Sequence, residues 1–278
     1  MIEAEMIEAL REIAGRVNVY YALASIALYF LSLFIWSFRW ALASRIRLSV
    51  YNVAQLLEGI LVGILVNNLV GFYSVGGEVA RVVWVSYRGS AESARLLAGV
   101  AVERVSEVPI ALAYLAFFTS LVRGELALLL HIPAVASKAG SYARLTLRSL
   151  REALSNPLLL AALAVLSTML WLIDSLRLLL LARSVGVPID IATAASLTLL
   201  GIASRIVLLT PANLGIFEGV YLGFLKASGY SLGDSLAVVL AERLLISLMP
   251  SILGALIVLR EGGFEVLKRV SRDGGRLA

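Results

Sequence analysis

Charged side chains lie within stretches of this sequence that are otherwise apolar. Glu78 precedes Arg81 by three residues, a spacing that puts both side chains on one face of a helix and allows an ion pair between them. Glu218 follows a glycine-containing break in the second half of the chain in a similar way. At the centre of a membrane helix a charged group costs about 2.5–3.5 kcal/mol, so these residues are candidates for a functional site.

Two acid–base pairs are direct neighbours in the sequence, Glu103-Arg104 and Glu242-Arg243. Adjacent residues of a helix do not share a face, so we expect the two members of each pair to bind different segments. The predicted network joins the two halves of the chain and comprises Glu78, Glu218, Glu103, Glu242, Arg104 and Arg243, with Arg39 and Arg177 beside them. The residue types leave open whether this network only fixes the helix register or also handles a substrate.

Each half also contains a break rich in glycine or proline, where we expect a hinge. These breaks lie at Gly76 and Gly77 and at Pro211 and Gly215. A helix that restarts after such a break points free backbone N–H groups and the positive end of its dipole towards it, which suits an anion such as phosphate. Further donors at the two breaks would come from Arg81, Arg205, Asn213 and Asn67. Close helix packing is the alternative explanation of the glycines.

The composition places these charged residues in a membrane. The chain has 278 residues, 60% hydrophobic and 15% charged, with a mean hydropathy of +0.92, whereas soluble domains carry about 25% charged residues. Residues 17–38 and 153–173 contain no charged side chain, and each stretch exceeds the roughly 20 residues with which a helix crosses the hydrocarbon core. We therefore predict an all-α polytopic membrane protein, located in the plasma membrane.

The formal net charge of +5 comes from basic residues that lie mostly between the apolar stretches, where they meet anionic headgroups. We therefore expect no nucleic-acid partner. With no cysteine and a single histidine, His131, the chain lacks the residues for a thiol site or a histidine-based metal or catalytic cluster. We expect no cofactor and no bound metal, and we find no arrangement of side chains that is typical of an enzyme.

The two halves of the chain resemble each other. The segment from Ser37 to Arg45 matches the one from Ser175 to Arg183 at an offset of 138 residues, and Glu78 matches Glu218 at an offset of 140. Charged residues at matched positions in so apolar a chain favour an internal duplication. We predict a single membrane domain, 1–278, with repeats at about 17–122 and 157–260 and a basic connector at 123–156.

Each repeat is predicted to contain about three spanning helices and a glycine-broken segment that forms a re-entrant or short helix pair. The two repeats are expected to be inverted relative to each other, as in many transporters. Within the connector, Lys138, Arg144, Arg148 and Arg151 recur at near-helical spacing. This pattern indicates either a basic helix on the membrane surface or an ordinary solvated helix.

Several of these motifs together resemble a known family, the flippase-like membrane region of lysylphosphatidylglycerol synthases and its free-standing relatives. The residues that carry the resemblance are Gly77-Glu-Val-Ala-Arg81, Gly89, Glu103-Arg-Val-Ser-Glu107, Pro211-Ala-Asn-Leu-Gly-Ile-Phe-Glu218, Gly229 and Glu242-Arg243. The resemblance runs from about Val17 to Leu259. It implies a polytopic protein that moves a polar-headed lipid between leaflets, and the aminoacyl transfer of longer relatives is not expected of this chain.

Our first functional hypothesis is therefore a translocase for a lipid or polyprenyl-phosphate carrier with a polar or charged headgroup. The headgroup would enter a cavity between the halves, in contact with Glu78, Arg81, Glu218, Asn213, Arg205 and Asn67. The second hypothesis is a non-transporting membrane partner that presents lipid to a separate transferase. A third is a membrane enzyme acting on a lipid phosphate, with carboxylates and arginines as acid, base and charge clamp.

Overall fold

The computed structural model of the chain describes residues 15, 17–70, 75–89, 91–121, 155–204 and 214–262, and the regular structure in them is entirely helical. This confirms the predicted all-α class. The eight helices of the described residues are α1 (Val19–Ala43), α2 (Val50–Val70), α3 (Val75–Tyr87), α4 (Ser93–Leu121), α5 (Pro157–Ser184), α6 (Ile191–Ser204), α7 (Ile216–Ala227) and α8 (Leu232–Arg260). Apart from residues 155 and 156, the predicted connector lies outside the described residues.

Four of these helices are long and apolar enough to cross a membrane. The candidate spans are Val19–Ala43, Val50–Leu69, Pro157–Ser184 and Leu232–Arg260. Much of their apolar surface is exposed, as on α8, where Leu232, Leu236, Leu240, Leu244, Leu248, Ile252 and Leu256 recur every four residues. Such apolar faces are suited to contact with the hydrocarbon core of a membrane. The protein is therefore a multi-pass membrane protein, as its composition predicts.

Polar side chains define where several helices begin. The Asn18 side chain accepts hydrogen bonds from the amides of Tyr20 and Tyr21 at the start of α1, and Asn156 accepts from Leu159 at the start of α5. Asp190 does the same for α6 through the Thr193 amide. Each cap satisfies amides that have no partner within the helix, a role in which Asn, Asp and Ser are preferred.

Helices α1 and α5 form an antiparallel pair at the centre of the structure. At one end the Asn18 amide donates to the Ser184 carbonyl (2.7 Å). Further along, Ser25 Oγ donates to the Arg177 carbonyl (3.0 Å), and near the other end Arg39 donates to Ser167 Oγ (2.8 Å). Residue numbers rise along one helix while they fall along the other, so the two helices run in opposite directions.

Helices α2 and α3 form a tight antiparallel hairpin. A Cβ at Gly63 would lie 2.7 Å from the Gly77 carbonyl oxygen, and one at Gly59 would lie 3.1 Å from the Arg81 carbonyl oxygen. The hairpin therefore needs glycine at both positions for its backbones to approach this closely. Where α2 ends and α3 begins, the Gly77 amide donates to Asn67 Oδ1 (2.7 Å), which caps the start of α3.

Helix α8 joins the second half of the chain to this hairpin. Asn68 on α2 donates to the Ser247 carbonyl (3.2 Å) and to Ser251 Oγ (2.8 Å). Ion pairs link the C-terminal ends of α3 and α8 to the first half of α2, and they involve Glu58, Arg88, Arg260 and Glu261. Partial burial would by itself raise the pKa of the Glu261 carboxyl, but hydrogen bonds from Arg88 and Arg260 outweigh it and lower that pKa.

Helix α8 contains one π-helical turn, Leu244–Leu248, directly before Pro250. Proline has no amide hydrogen, and its ring would collide with the carbonyl four residues earlier in a regular α-helix. A wider π turn relieves this clash while the helix continues.

Close packing of α8 on α2 leads to a prediction about Gly254. A Cβ at this residue would lie 2.5 Å from the Leu61 carbonyl oxygen, which is backbone and has no flexible side chain to give way. We expect Gly254→Ala to lower the free energy of unfolding by about 1–3 kcal/mol, the usual cost of overpacking. Thermal unfolding of the purified protein in detergent measures this change.

A matched control for Gly254 lies on α7. A Cβ at Gly223 would meet nothing within 4 Å, so Gly223→Ala should be neutral or stabilising by up to about 1 kcal/mol through helix propensity. Equal melting temperatures of the two variants would contradict the close α2–α8 contact.

Candidate functional site

Six charged side chains of the first half form a closed ring in which positive and negative groups alternate. In order around the ring these residues are Arg39, Glu103, Arg81, Glu78, Arg104 and Glu107, and the last contacts the first again. Helix α1 contributes one member, α3 two and α4 three. We call this set the ion ring. Each carboxylate lies between two guanidinium groups, so the ring is electrically neutral.

The ring has a buried side around Glu103. This carboxylate is 1% exposed and accepts from Arg39 Nε (3.1 Å) and from Arg81 Nη2 (3.0 Å). Arg39 also donates to Ser167 Oγ on α5, which ties the ring to the second half of the chain. Buried charges are tolerated only when they are paired and hydrogen-bonded, and this side of the ring meets that condition.

Arg81 lies under two tryptophans. Its guanidinium carbon is 4.4 Å from the centre of the Trp40 ring and 5.2 Å from that of Trp36, distances typical of cation–π contacts. The Arg81 side chain is 2% exposed and lies 2.5 Å from Glu78, which confirms the ion pair predicted from their spacing. Its Nη1 atom is buried and has no hydrogen-bond partner among the described residues.

The opposite side of the ring reaches the protein surface. Arg104, half of whose side chain is exposed, contacts both Glu78 and Glu107. The Glu107 contacts are the longest in the ring, 3.2 Å to Arg39 and 3.3 Å to Arg104. The ring is therefore most accessible at Arg104, which remains closely bound to Glu78, and its longest contacts are those of Glu107.

The second half contains two separate ion pairs at the positions that match part of the ring. Arg177 on α5 binds Glu242 through both terminal nitrogens (2.6 and 2.8 Å), and the two side chains are 6% and 1% exposed. Asp174 lies 3.5 Å from the same arginine. Arg243 binds Glu218 (2.5 Å) and lies 4.4 Å above the Phe217 ring.

Glu218 has a second role at the start of α7. Its other carboxylate oxygen accepts from the Gly215 amide (2.7 Å), so the side chain caps its own helix. Gly215 has a φ of 83°, in the region that favours glycine. At both predicted breaks one backbone donor is thus taken by the protein, by Glu218 in α7 and by Asn67 in α3.

The ion ring and the Arg177–Glu242 pair lie at opposite depths of the α1–α5 pair. Ser167, which contacts Arg39, and Arg177 are ten residues apart on α5, which corresponds to about 15 Å along a helix. Each arginine is near the C-terminal end of its helix, and the two helices run in opposite directions. The two groups of charges therefore lie towards opposite surfaces of the membrane.

The matched second-half pairs fall within a stretch that is similar to a known membrane family. A family model described as the lysylphosphatidylglycerol synthase TM region matches residues 110–254, just over half of the chain. The chain belongs to this family. A comparison with curated proteins finds no match.

This match to the lysylphosphatidylglycerol synthase TM region confirms the predicted family. The matched residues extend from α4 into α8 and include Arg177, Glu218, Glu242 and Arg243. The members of the ion ring precede the matched stretch. Their arrangement is therefore an observation on this chain, independent of the family match.

The prediction that sequence neighbours bind different segments holds for Glu242 and Arg243, because Glu242 binds α5 and Arg243 binds α7. It holds less well for Glu103 and Arg104, because both contact α3. The ion pairs of the described residues also differ from the predicted single network, since the ring and the second-half pairs each stay within their own half. The reason is geometric: the charges of α3 lie against those of α4, and Glu218 of α7 lies against Arg243 of α8, so each meets the charges of its own half.

Three predicted site residues, Arg205, Pro211 and Asn213, lie outside the described residues. Gly76 and Gly77 lie in the first turn of α3, as expected of a break. Sequence reasoning missed the roles of Glu107, Asp174 and Ser167. The four-residue spacing of Glu103 and Glu107 was an available signal, because it places both carboxylates on one helix face.

Proposed function

We propose that the protein moves a lipid with a polar or charged headgroup between the two leaflets of its membrane. The observation that carries this proposal is the pair of charged groups at opposite depths, one next to each arginine of the antiparallel α1–α5 pair. Charges inside a membrane are costly and typically mark the path of a substrate. The name of the family, which refers to a lipid-synthesising enzyme, supports a lipid as the substrate.

The proposal includes an inverted internal repeat. Helices α1 and α5 match at an offset of 138 residues and run in opposite directions, as two inverted copies of one helix must. Their contacts are also reciprocal: Arg39 contacts Ser167, and Arg177 lies 5.9 Å from the ring of Tyr29. Positions 29 and 167 match at the same offset. In inverted-repeat transporters the substrate site lies where the two repeats meet.

The glycine-broken segments are proposed to be re-entrant. Helix α3 has 13 residues, a length of about 20 Å, whereas a hydrocarbon core is about 30 Å thick. Its last turn lies beside the first half of α2, where Arg88 approaches Glu58 (3.9 Å). In the proposed arrangement the hairpin starts and ends towards the same membrane surface, and this contact supports it. Broken backbone at membrane depth needs protein or a water-filled cavity around it, and either fits a headgroup path.

In the proposed mechanism the headgroup contacts the accessible side of the ion ring while the acyl chains stay in the lipid. Arg104 is the guanidinium best placed to receive it, because half of its side chain is exposed. The second-half pairs would receive the headgroup from the other leaflet. The proposal involves no covalent chemistry, and a separate transferase is a possible supplier of the lipid.

The test is a translocation assay in proteoliposomes. Purified protein should accelerate the movement of a fluorescent anionic phospholipid from the inner to the outer leaflet, read out by a quencher added outside. Well-folded protein that accelerates neither this lipid nor a polyprenyl phosphate would refute the proposal and favour the non-transporting membrane partner.

A variant of Arg104 sharpens this assay. Arg104→Gln removes one charge-assisted hydrogen bond to the headgroup, worth about 1.5–3 kcal/mol, so we expect transport to slow by about 10- to 100-fold. Arg183→Gln is the matched control, because this arginine is exposed in the last turn of α5, away from the ring. Equal transport rates of the two variants would remove Arg104 from the site.

A further inference from the structure

The closed ion ring limits which ligand charge it can accept. It contains three guanidinium groups and three carboxylates, and each carboxylate is shared between two arginines. Four of the six side chains are less than one-fifth exposed. An anion added to this neutral ring leaves one uncompensated negative charge in a poorly solvated place, which is strongly unfavourable.

The ring nevertheless offers donors to an incoming anion. Arg81 Nη1 is buried without a hydrogen-bond partner among the described residues, and the Arg81 side chain is 2% exposed. Arg104 is half exposed on the accessible side. A phosphate oxygen is a suitable acceptor for guanidinium donors of this kind. The remaining problem is the extra negative charge.

Glu107 is the carboxylate that can compensate for this charge. It has the longest contacts of the ring and is its most exposed carboxylate, at 22%. The charged groups around it are Arg39 from α1, Arg104 and Glu103 from its own helix, and on α3 Glu78, which contacts Arg104, and Arg81, which contacts Glu103. Ser167 on α5, which accepts a hydrogen bond from Arg39, does not titrate. A proton on Glu107 would release both arginines towards a phosphate.

We propose that the ion ring binds one monoanionic phosphodiester group together with one proton, which Glu107 takes up from water. No covalent bond is formed or broken other than the O–H bond of Glu107, and the complex is again neutral. This inference rests on the proposed function in that it names the headgroup class and links its binding to pH. Lipid movement by this route would carry a proton with the headgroup.

The test measures binding and does not depend on transport. The purified protein in zwitterionic nanodiscs is titrated with fluorescent phosphatidylglycerol, whose phosphodiester stays anionic throughout, at pH 6, 7 and 8. Uptake of one proton predicts that the affinity falls about tenfold for each pH unit across this range. A pH indicator in weakly buffered solution should report one proton bound per lipid.

Two variants locate the proton. Glu107→Gln leaves the ring with one excess positive charge, so we expect it to bind the lipid with an affinity that does not change with pH. Glu58→Gln is the matched control, because Glu58 is similarly exposed (20%) and also paired with arginines, in the first half of α2 away from the ring. This control should keep the pH dependence of the unaltered protein.

A soluble phosphodiester identifies the source of the ligand. If dimethyl phosphate displaces the lipid with the same pH dependence, the ring recognises the phosphodiester alone. If it does not displace the lipid, the acyl chains are required. Both outcomes support proton-linked binding. A lipid affinity of the unaltered protein that is constant with pH overturns proton-linked binding. A Glu107→Gln variant whose affinity still falls with pH overturns it as well. Binding with this slope but without lipid movement would leave the inference intact and refute only the proposed transport.

Discussion

Replacement of Arg177 by methionine is expected to lower the free energy of unfolding by about 3–5 kcal/mol, the cost of leaving a buried charge without its partner. Glu242, whose side chain is 1% exposed, receives two short hydrogen bonds from this arginine. Without them its carboxylate remains in a poorly solvated place, and Asp174 also loses its neighbour. Unfolding in mixed micelles with an increasing fraction of denaturing detergent measures the loss of stability.

A double variant separates the buried charge from the packing of the site. Arg177→Met combined with Glu242→Leu removes both charges, and buried ion pairs replaced by apolar residues are often neutral in stability. We therefore expect the double variant to recover most of the loss. Arg260→Met is the control for loss of an arginine, because this side chain is 58% exposed and solvent screens its ion pairs, so its loss should change stability little. A double variant as unstable as Arg177→Met would show that packing determines the loss.

A cross-link between α2 and α8 should stop transport almost completely. Asn68 and Ser251 are in hydrogen-bond contact (2.8 Å), and the chain contains no cysteine, so a double cysteine variant introduces the only two thiols. If the halves must separate here to admit a headgroup, a short thiol-to-thiol reagent should slow lipid movement by at least about tenfold, because the closed state is then fixed. Cleavage of a reducible reagent should restore the rate.

The controls for the cross-link are the two single cysteine variants and a pair within one half. The single variants treated with the reagent should keep their transport rate. Cysteines at Asn67 and Gly77 join α2 to α3, whose contact the proposed motion does not break. Unchanged transport after complete cross-linking of Asn68 to Ser251 would show that α2 and α8 move as one body.

Contacts between residues close in sequence were predictable, whereas contacts between distant helices were not. The Glu78–Arg81 pair follows from a three-residue spacing, and the helices follow from the length of the apolar stretches. Closure of the ion ring depends on Arg39, which is separated by 64 and 68 residues from the carboxylates that it binds. Sequence identifies such residues as costly in a membrane, but the folded helices determine which charge each one meets.

Asn67 illustrates the same difference on a smaller scale. Its amide was a plausible donor for a bound anion, yet in the structure its oxygen accepts the Gly77 amide. The cap is possible because α3 folds back directly onto the end of α2. Similarly, Glu218 was predicted at a headgroup site, and it both caps α7 and binds Arg243. A break in a helix creates unsatisfied amides, and side chains of the same protein compete with any ligand for them.

The surface ion pairs between α2, α3 and α8 have a consequence for the orientation of the protein. They join the C-terminal ends of α3 and α8 to the first half of α2, and so place these ends towards the membrane surface at which α1 connects to α2. Among the described residues this surface carries Arg45, Arg47, Arg88, Arg95 and Arg260, whereas the other carries Arg183 and Lys226. Arginine and lysine accumulate on the cytosolic side of membrane proteins. A cysteine at Arg47 should therefore react with an impermeant maleimide only after the cell membrane is opened, and the ion ring would lie nearer the cytosol.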